Sequence, residues 1–317
     1  MATAEQIKML IKAHFNNKDE QFRTAVLQIA AYEAQQGHKK LARELKEILE
    51  KNRFRSNVIN ISNSNQLFIH TPTDVHLHDL IVSNDLQERI KRILQEFKQR
   101  DKLRHYGLAN RRKVLLEGAS GTGKTMTAKI IASELQLPLF TIQMDKLVTK
   151  FMGETSSKLR QIFDMIASTI GVYLFDEFDA IGSDRNLDTD VGEMRRVLNS
   201  FLQLIEQDVS DSIIIAATNN RRMLDQALFR RFDDVLHYDL PNRENVKRLI
   251  GVKLANFVSH NIINDNVINL AVTLSQAEIT RACEDVIKLS ILSDRSITSN
   301  LLIQTFQERL LAYNKEA

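Results

Sequence analysis

Gly118-Ala119-Ser120-Gly121-Thr122-Gly123-Lys124-Thr125 follows the apolar run Val114-Leu115-Leu116 and leads into a helix-patterned segment from Met126 to Leu135. A strand that turns through a glycine-rich loop into a helix, at the spacing G-x-x-x-x-G-K-[ST], is the context a phosphate-binding loop needs. The glycines let backbone N–H groups close around phosphate oxygens, and the helix N-terminus adds a favourable dipole. Lys124 offers a charge to the β- and γ-phosphates, and the Thr125 hydroxyl offers a ligand to Mg2+. A chance glycine turn would not carry both flanking elements. The expected nucleotide contacts therefore run from Gly118 to Met126.

Outward from this loop, helix and strand patterns alternate between about 79 and 240. The strand candidates are Val114–Leu116, Leu139–Ile142, Val172–Phe175, Ile213–Ala217 and Val235–Tyr238. Apolar runs separated by helical stretches predict a parallel sheet covered on both faces. Val172-Tyr173-Leu174-Phe175 closes on Asp176-Glu177, which puts two acids at the carboxyl edge of a buried strand, where open α/β sheets bind ligands. Asp176 is expected to hold Mg2+ through its water shell, and Glu177 to orient and polarise the attacking water. The next strand ends in Thr218-Asn219, whose neutral amide suits a γ-phosphate or the water. Downstream, Leu228-Phe229-Arg230-Arg231-Phe232-Asp233 places paired arginines after an apolar helix, where a guanidinium offered to a neighbouring subunit would neutralise charge built up in phosphoryl transfer.

Composition narrows the alternatives. An apolar fraction of 43% supports packed cores, and 3 prolines with 10 glycines argue against disorder and against a turn-rich all-β fold. The single cysteine, Cys283, excludes an internal disulfide framework and a multi-cysteine zinc site. With 43 basic and 40 acidic residues, charge does not indicate nucleic acid, and Arg111-Arg112-Lys113 and Arg221-Arg222 read as solvated faces. His76 and His78 lack a third ligand nearby, so no metal is expected there. The polar start is not a signal peptide, and no apolar run reaches the roughly 18 residues of a membrane span, which gives an expectation of a cytoplasmic protein.

The flanks differ from the centre. Residues 1–51 repeat apolar positions at helical spacing (Ile7, Leu10, Ile11, Phe15; Phe22, Val26, Ile29; Leu41, Leu45, Leu49), with breaks at Asn16-Asn17 and Gly37. They predict a small bundle that docks a substrate or partner. Residues 52–74 are an Asn- and Ser-rich linker, within which Gln66–Ile69 could pair as a short strand. After 242 the pattern is helical, in four segments near 243–259, 264–273, 276–293 and 298–313.

Taken together, these motifs make the chain resemble an AAA-family ATPase, on the katanin and spastin side of that family. The order matches: Walker A at 118–125, Walker B at 172–177, sensor 1 at Asn219, and a second region of homology ending in the finger pair Arg230 and Arg231. The resemblance covers about 75–290. It implies an α/β P-loop ATPase domain over 75–241, an α-helical lid over 242–317, ATP and Mg2+ as cofactors, and a homo-oligomer, a hexameric ring. It also implies that Leu147–Glu154 is a pore loop in which Lys150, Phe151 and Met152 grip an extended polypeptide, and that 184–192 aligns with a second pore loop. The expected activity is that of an ATP-driven protein remodeller serving a separate hydrolase or adaptor. A second reading is a nucleotide-dependent assembly switch that presents its N-terminal modules without threading, and a nucleic-acid motor is disfavoured by the balanced charge. Departures from the family pattern are Ala119-Ser120 in place of Pro-Pro, Gln276 in place of a glycine at the lid contact, and the absence of an Asp-Gly pair in 206–212.

Overall fold

The computed structural model describes residues 8, 10, 19–51, 67–147, 154–181, 190–219, 229–258, 262–294 and 296–314. It divides into two compact units, with the boundary between Ser64 and Asn65. In the first unit, α1 (Asp19–Gln35) and α2 (Lys39–Lys51) pack against each other across a tight turn at Gly37, whose φ of +88° suits glycine. Ala25, Val26, Ala30 and Ala42 form the seam, and small residues let the two helices approach closely.

The second unit holds β1 (Phe68–Thr71), α3 (Asn84–Lys98), α4 (Arg100–His105), β2 (Lys113–Gly118), α5 (Lys124–Leu135), β3 (Leu139–Ile142), α6 (Met144–Leu147), α7 (Glu154–Ser168), β4 (Val172–Phe175), α8 (Asp190–Gln207), β5 (Ile213–Thr218) and β6 (Asp234–Tyr238). It ends in α9 (Arg243–Leu254), α10 (Asp265–Ala271), α11 (Gln276–Ser293) and α12 (Ser299–Asn314). The six strands form one sheet in the order β1-β3-β4-β5-β2-β6. Only β1, at the edge, runs antiparallel; β3 to β6 and β2 pair in parallel, so their carboxyl ends share one edge. The fold is mixed α/β with a mostly parallel sheet, as the alternation predicts.

Strand alternation sorts the core. Val172, Leu174, Ile213, Ile215, Val114 and Leu116 turn to the face covered by α3 and α5, where Ile90, Ile93, Ile130 and Ile131 meet them. The opposite face is aromatic: Tyr173 stacks on Phe140 at 5.0 Å, and Phe201 of α8 sits 5.1 Å from Phe175 and 4.7 Å from Phe178. Covering both faces is what allows β4 and β5 to be almost wholly hydrophobic, with the terminal Thr218 the polar exception in β5, and all their residues are buried.

The C-terminal helices have a core of their own, built from Val246, Ile250, Val267, Ile279, Cys283, Leu302 and Phe306. Burial pushes the Cys283 thiol up to about 12, which marks it as a packing residue. Ile81 joins this helical core while its neighbour Leu80 joins the sheet core, so two consecutive side chains anchor both halves of the unit. Among the described residues, no helix is long and apolar enough to cross a membrane.

One expectation is overturned. Arg111 and Arg112 are not a solvated face. Arg111 donates to Glu96 through both Nη1 (2.6 Å) and its backbone N–H (2.9 Å). Arg112, with its side chain only 14% exposed, is paired with Asp208, which is 3% exposed. The partners lie far away in sequence, so the cluster of basic residues by itself gives no sign of the burial. Asp208→Ala would remove the carboxylate that balances the buried guanidinium, leaving the backbone carbonyl of residue 208 as its acceptor, and is expected to cost about 3 kcal/mol. Asp211→Ala, at the more exposed Arg104 pair, should cost less than about 1 kcal/mol. Denaturant unfolding of the two variants reads the difference.

Candidate functional site

β2 delivers the chain to the carboxyl edge of the sheet and Gly118 turns it into the loop. At this point β2 and β6 lie so close that a Cβ on Gly118 would collide with the Tyr238 carbonyl, and φ is +149°. Two hydroxyls brace the loop: Thr122 donates to the Ala119 carbonyl at 2.8 Å, and Thr127, on α5, donates to the Gly123 carbonyl at 3.1 Å. Tyr238 donates in turn to Thr127 at 2.6 Å, which ties β6 to the base of the helix.

Lys124 is buried within this loop, its Nζ donating to the carbonyls of Gly118 and Ala119 at 2.8 Å each. Burial lowers its pKa from the ordinary lysine value, and the nearby carboxylates of Asp176 and Asp179 oppose that shift. A phosphate entering the loop would supply a stronger counter-charge than two carbonyls and would reverse the lowering. The Thr125 hydroxyl donates to Asp176 at 2.7 Å. A hydroxyl beside a carboxylate, both hard oxygen donors, fits the donor set of Mg2+. Glu177 follows with φ of +52°, uncommon for a residue with a Cβ, and its N–H donates to the Asp176 carboxylate at 3.0 Å. Asn219, at the end of β5, lies across the same edge, its N–H reaching Asp179 at 3.4 Å.

These groups surround one cavity of about 560 Å3. Ser120, Gly121, Thr122, Gly123, Lys124, Thr125 and Met126 line it, together with Asp176, Glu177 and Asn219. Gly118 and Ala119 stand behind it and hold Lys124. The far wall is the start of α11, which docks on the loop: the Ala277 N–H donates to the Gly121 carbonyl at 3.0 Å. Gly121, at φ +76°, has no room for a Cβ, which would lie 2.5 Å from the Ser275 Oγ.

Arg230 and Arg231 are exposed and are not part of the cavity lining; Arg231 pairs with Glu206 at the C-terminal end of α8. Lys150, Phe151 and Met152 lie outside the described residues, as does most of 184–192. Sequence reasoning missed Asp179, whose signal was a third acid in Asp176-Glu177-Phe178-Asp179. It also missed the helical stripe Gln276, Thr280, Glu284, of which it singled out the first alone, and the neighbouring Arg281 and Lys253.

Comparison with known proteins decides the family. The family model for "ATPase family associated with various cellular activities (AAA)" matches residues 114–240. The chain is also 34% identical over 306 residues to the uncharacterized AAA family ATPase y4kL of Sinorhizobium fredii, spanning 93% of this chain and 91% of that protein. The chain belongs to the AAA family of ATPases. It binds nucleotide and hydrolyses ATP. Other AAA relatives are longer. The proteasome-activating nucleotidase of Sulfurisphaera tokodaii is 29% identical over 254 residues, which cover 77% of this chain and 64% of that protein. A putative 26S proteasome regulatory subunit homolog of Methanothermobacter thermautotrophicus is 30% identical over 200 residues, 62% of this chain and 52% of its own length.

The buried Lys124 gives the sharpest test of this ATPase site. Lys124→Ala is expected to weaken ADP and ATP binding by at least about a hundredfold. Calorimetric titration measures it, and circular dichroism checks that the fold persists.

Proposed function

We propose that this AAA ATPase is a protein remodeller that works as a ring, a hexamer, and pulls on a polypeptide. The observation that carries the reading is the place of the arginines. Hydrolysis builds negative charge on the γ-phosphate, and Arg230 and Arg231 stand outside their own subunit's cavity. In the ring these cations serve the site of a neighbour, so each ATP site is completed in trans and ring assembly becomes a condition of fast turnover.

Within each site the roles divide by chemistry. Lys124 and the loop N–H groups bind the β- and γ-phosphates. Thr125 and Asp176 hold Mg2+, which when bound neutralises charge between those phosphates. Glu177 orients the attacking water and accepts its proton, and Asn219 steadies the water or the γ-phosphate from the next strand. Lys150, Phe151 and Met152 form the loop that grips the substrate, because an aromatic and a flexible thioether side chain hold any sequence by dispersion contact. Residues 1–51 dock the substrate, an adaptor or a separately encoded hydrolase. The similarity to a protein named as a proteasome-activating nucleotidase supports this direction.

Threading and switching make different demands on Phe151. In the remodeller, an unstructured polypeptide such as casein accelerates ATP turnover, and Phe151→Ala abolishes that acceleration while ATP alone is still hydrolysed. Steady-state ATPase assays with and without the polypeptide decide it. Unchanged acceleration in the variant would favour an assembly switch.

A further inference from the structure

We propose that Tyr238 is a positioning residue for ATP hydrolysis: acting through Thr127, its hydroxyl sets the span of the phosphate loop. The proposal concerns the site within one chain and does not depend on the ring.

Tyr238 is the last residue of β6 and lies in register with Gly118, the last residue of β2. It therefore stands where the phosphate loop begins. Its main-chain carbonyl comes so near that a Cβ on Gly118 would lie 2.1 Å from the oxygen. Its side chain belongs to the sheet core beneath α5, and from there its hydroxyl reaches towards the other end of the loop.

That second contact is a chain of two hydroxyls. Tyr238 donates to Thr127 at 2.6 Å, and Thr127 donates to the Gly123 carbonyl at 3.1 Å, beside its own N–H on the same carbonyl at 2.9 Å. A hydroxyl has one proton, so Thr127, having given its own to Gly123, is left to accept from Tyr238. Bonds linked in this way polarise and strengthen one another. One residue thus holds the loop at both ends, directly at Gly118 and through Thr127 at Gly123. Lys124 bridges the same interval with Nζ on the carbonyls of Gly118 and Ala119, so a change in span would displace the ammonium and the first N–H groups of α5 together.

Folding by itself does not demand this pair. Tyr238 and Thr127 are both buried in a core whose other members, Leu116, Ile131 and Leu236 among them, are apolar. Two buried hydroxyls bonded to each other can give way to apolar groups of the same shape at little cost. What the pair supplies is a fixed place for the start of α5. Gly123, the N-cap of that helix, has no side chain with which to cap it, and it holds a left-handed φ of +103° that glycine permits without enforcing. The first turn is therefore secured from below, and its N–H groups stay open to phosphate. Burial raises the Tyr238 phenol above the ordinary tyrosine value, against the opposing effect of the Thr127 bond, so the donor keeps its proton.

Steady-state ATP hydrolysis by Tyr238→Phe, Thr127→Val, the double variant and Thr127→Ser tests this, with assembly followed by light scattering and unfolding midpoints read in denaturant. Tyr238→Phe removes the hydroxyl alone, and Thr127→Val keeps the shape of the side chain. Each is expected to lower kcat about tenfold and to leave KM within about twofold, because a misplaced loop costs more in the transition state than in the ground state. The double variant should be no slower than Thr127→Val, since that change already breaks the chain of hydroxyls. Thr127→Ser restores the hydroxyl and should stay within about twofold of wild type. A kcat for Tyr238→Phe within about twofold of wild type would overturn the proposal, whatever happens to the unfolding midpoint. So would losses that multiply in the double variant, or a loss of rate that follows a loss of assembly. If Tyr238→Phe does not fold, Thr127→Val reads the same bond from its other side; failure of both to fold would make the bond structural and overturn the proposal.

Discussion

The backbone hydrogen bond from Ala277 to Gly121 is the contact on which the site depends. The phosphate loop belongs to the sheet, and α11 belongs to the helical core; this bond, with the Ser275 contact beside it, brings them together. Leu80 and Ile81 secure the same junction from below, one side chain in each core. A nucleotide lying between sheet and helices therefore touches two cores with separate packing. Any change in its phosphates acts directly on the junction between them.

In the proposed ring, one chain by itself is an incomplete catalyst. Its own residues supply the phosphate cradle, the Thr125–Asp176 oxygen pair, a carboxylate on a left-handed backbone at Glu177 and an amide at Asn219. Lys124 contributes the one cation of Walker A, and burial already disfavours its charged form. Lys253 and Arg281 also line the cavity, Arg281 paired with Glu278, whereas Arg230 and Arg231 face solvent. In the proposed ring, Arg231 exchanges its bond with the surface carboxylate of Glu206 for a neighbour's γ-phosphate. Because the Glu206 pair is exposed, little stability is lost in that exchange.

Much of this was legible in the sequence because buried parallel strands leave a plain signature. Val172–Phe175 is hydrophobic throughout and Leu139–Ile142 is broken only by Thr141, and Pro138 and Gly171 precede them, so their starts could be read directly. The phosphate loop was equally plain, since its chemistry is carried by neighbours in sequence. What was hidden depends on residues distant in the chain. The burial of Arg112 is set by Asp208, and Asp179 joins the site because the fold brings it near both Asn219 and Lys124. The wall formed by Thr280, Arg281 and Glu284 required knowing which face of α11 turns to the loop, and the Ala277 bond fixes that face.

The central claim is that the ATP site is shared between subunits, and subunit mixing tests it most directly. Arg231→Ala keeps a sound cradle but offers a broken finger pair; Glu177→Gln offers an intact pair but cannot activate water. Each variant alone should turn over ATP at less than about a tenth of the wild-type rate. Mixed, they form interfaces where a wild-type Glu177 meets a wild-type Arg231, and turnover should rise above the sum of the separate rates. Turnover that never exceeds that sum, at any mixing ratio, would contradict a site completed in trans.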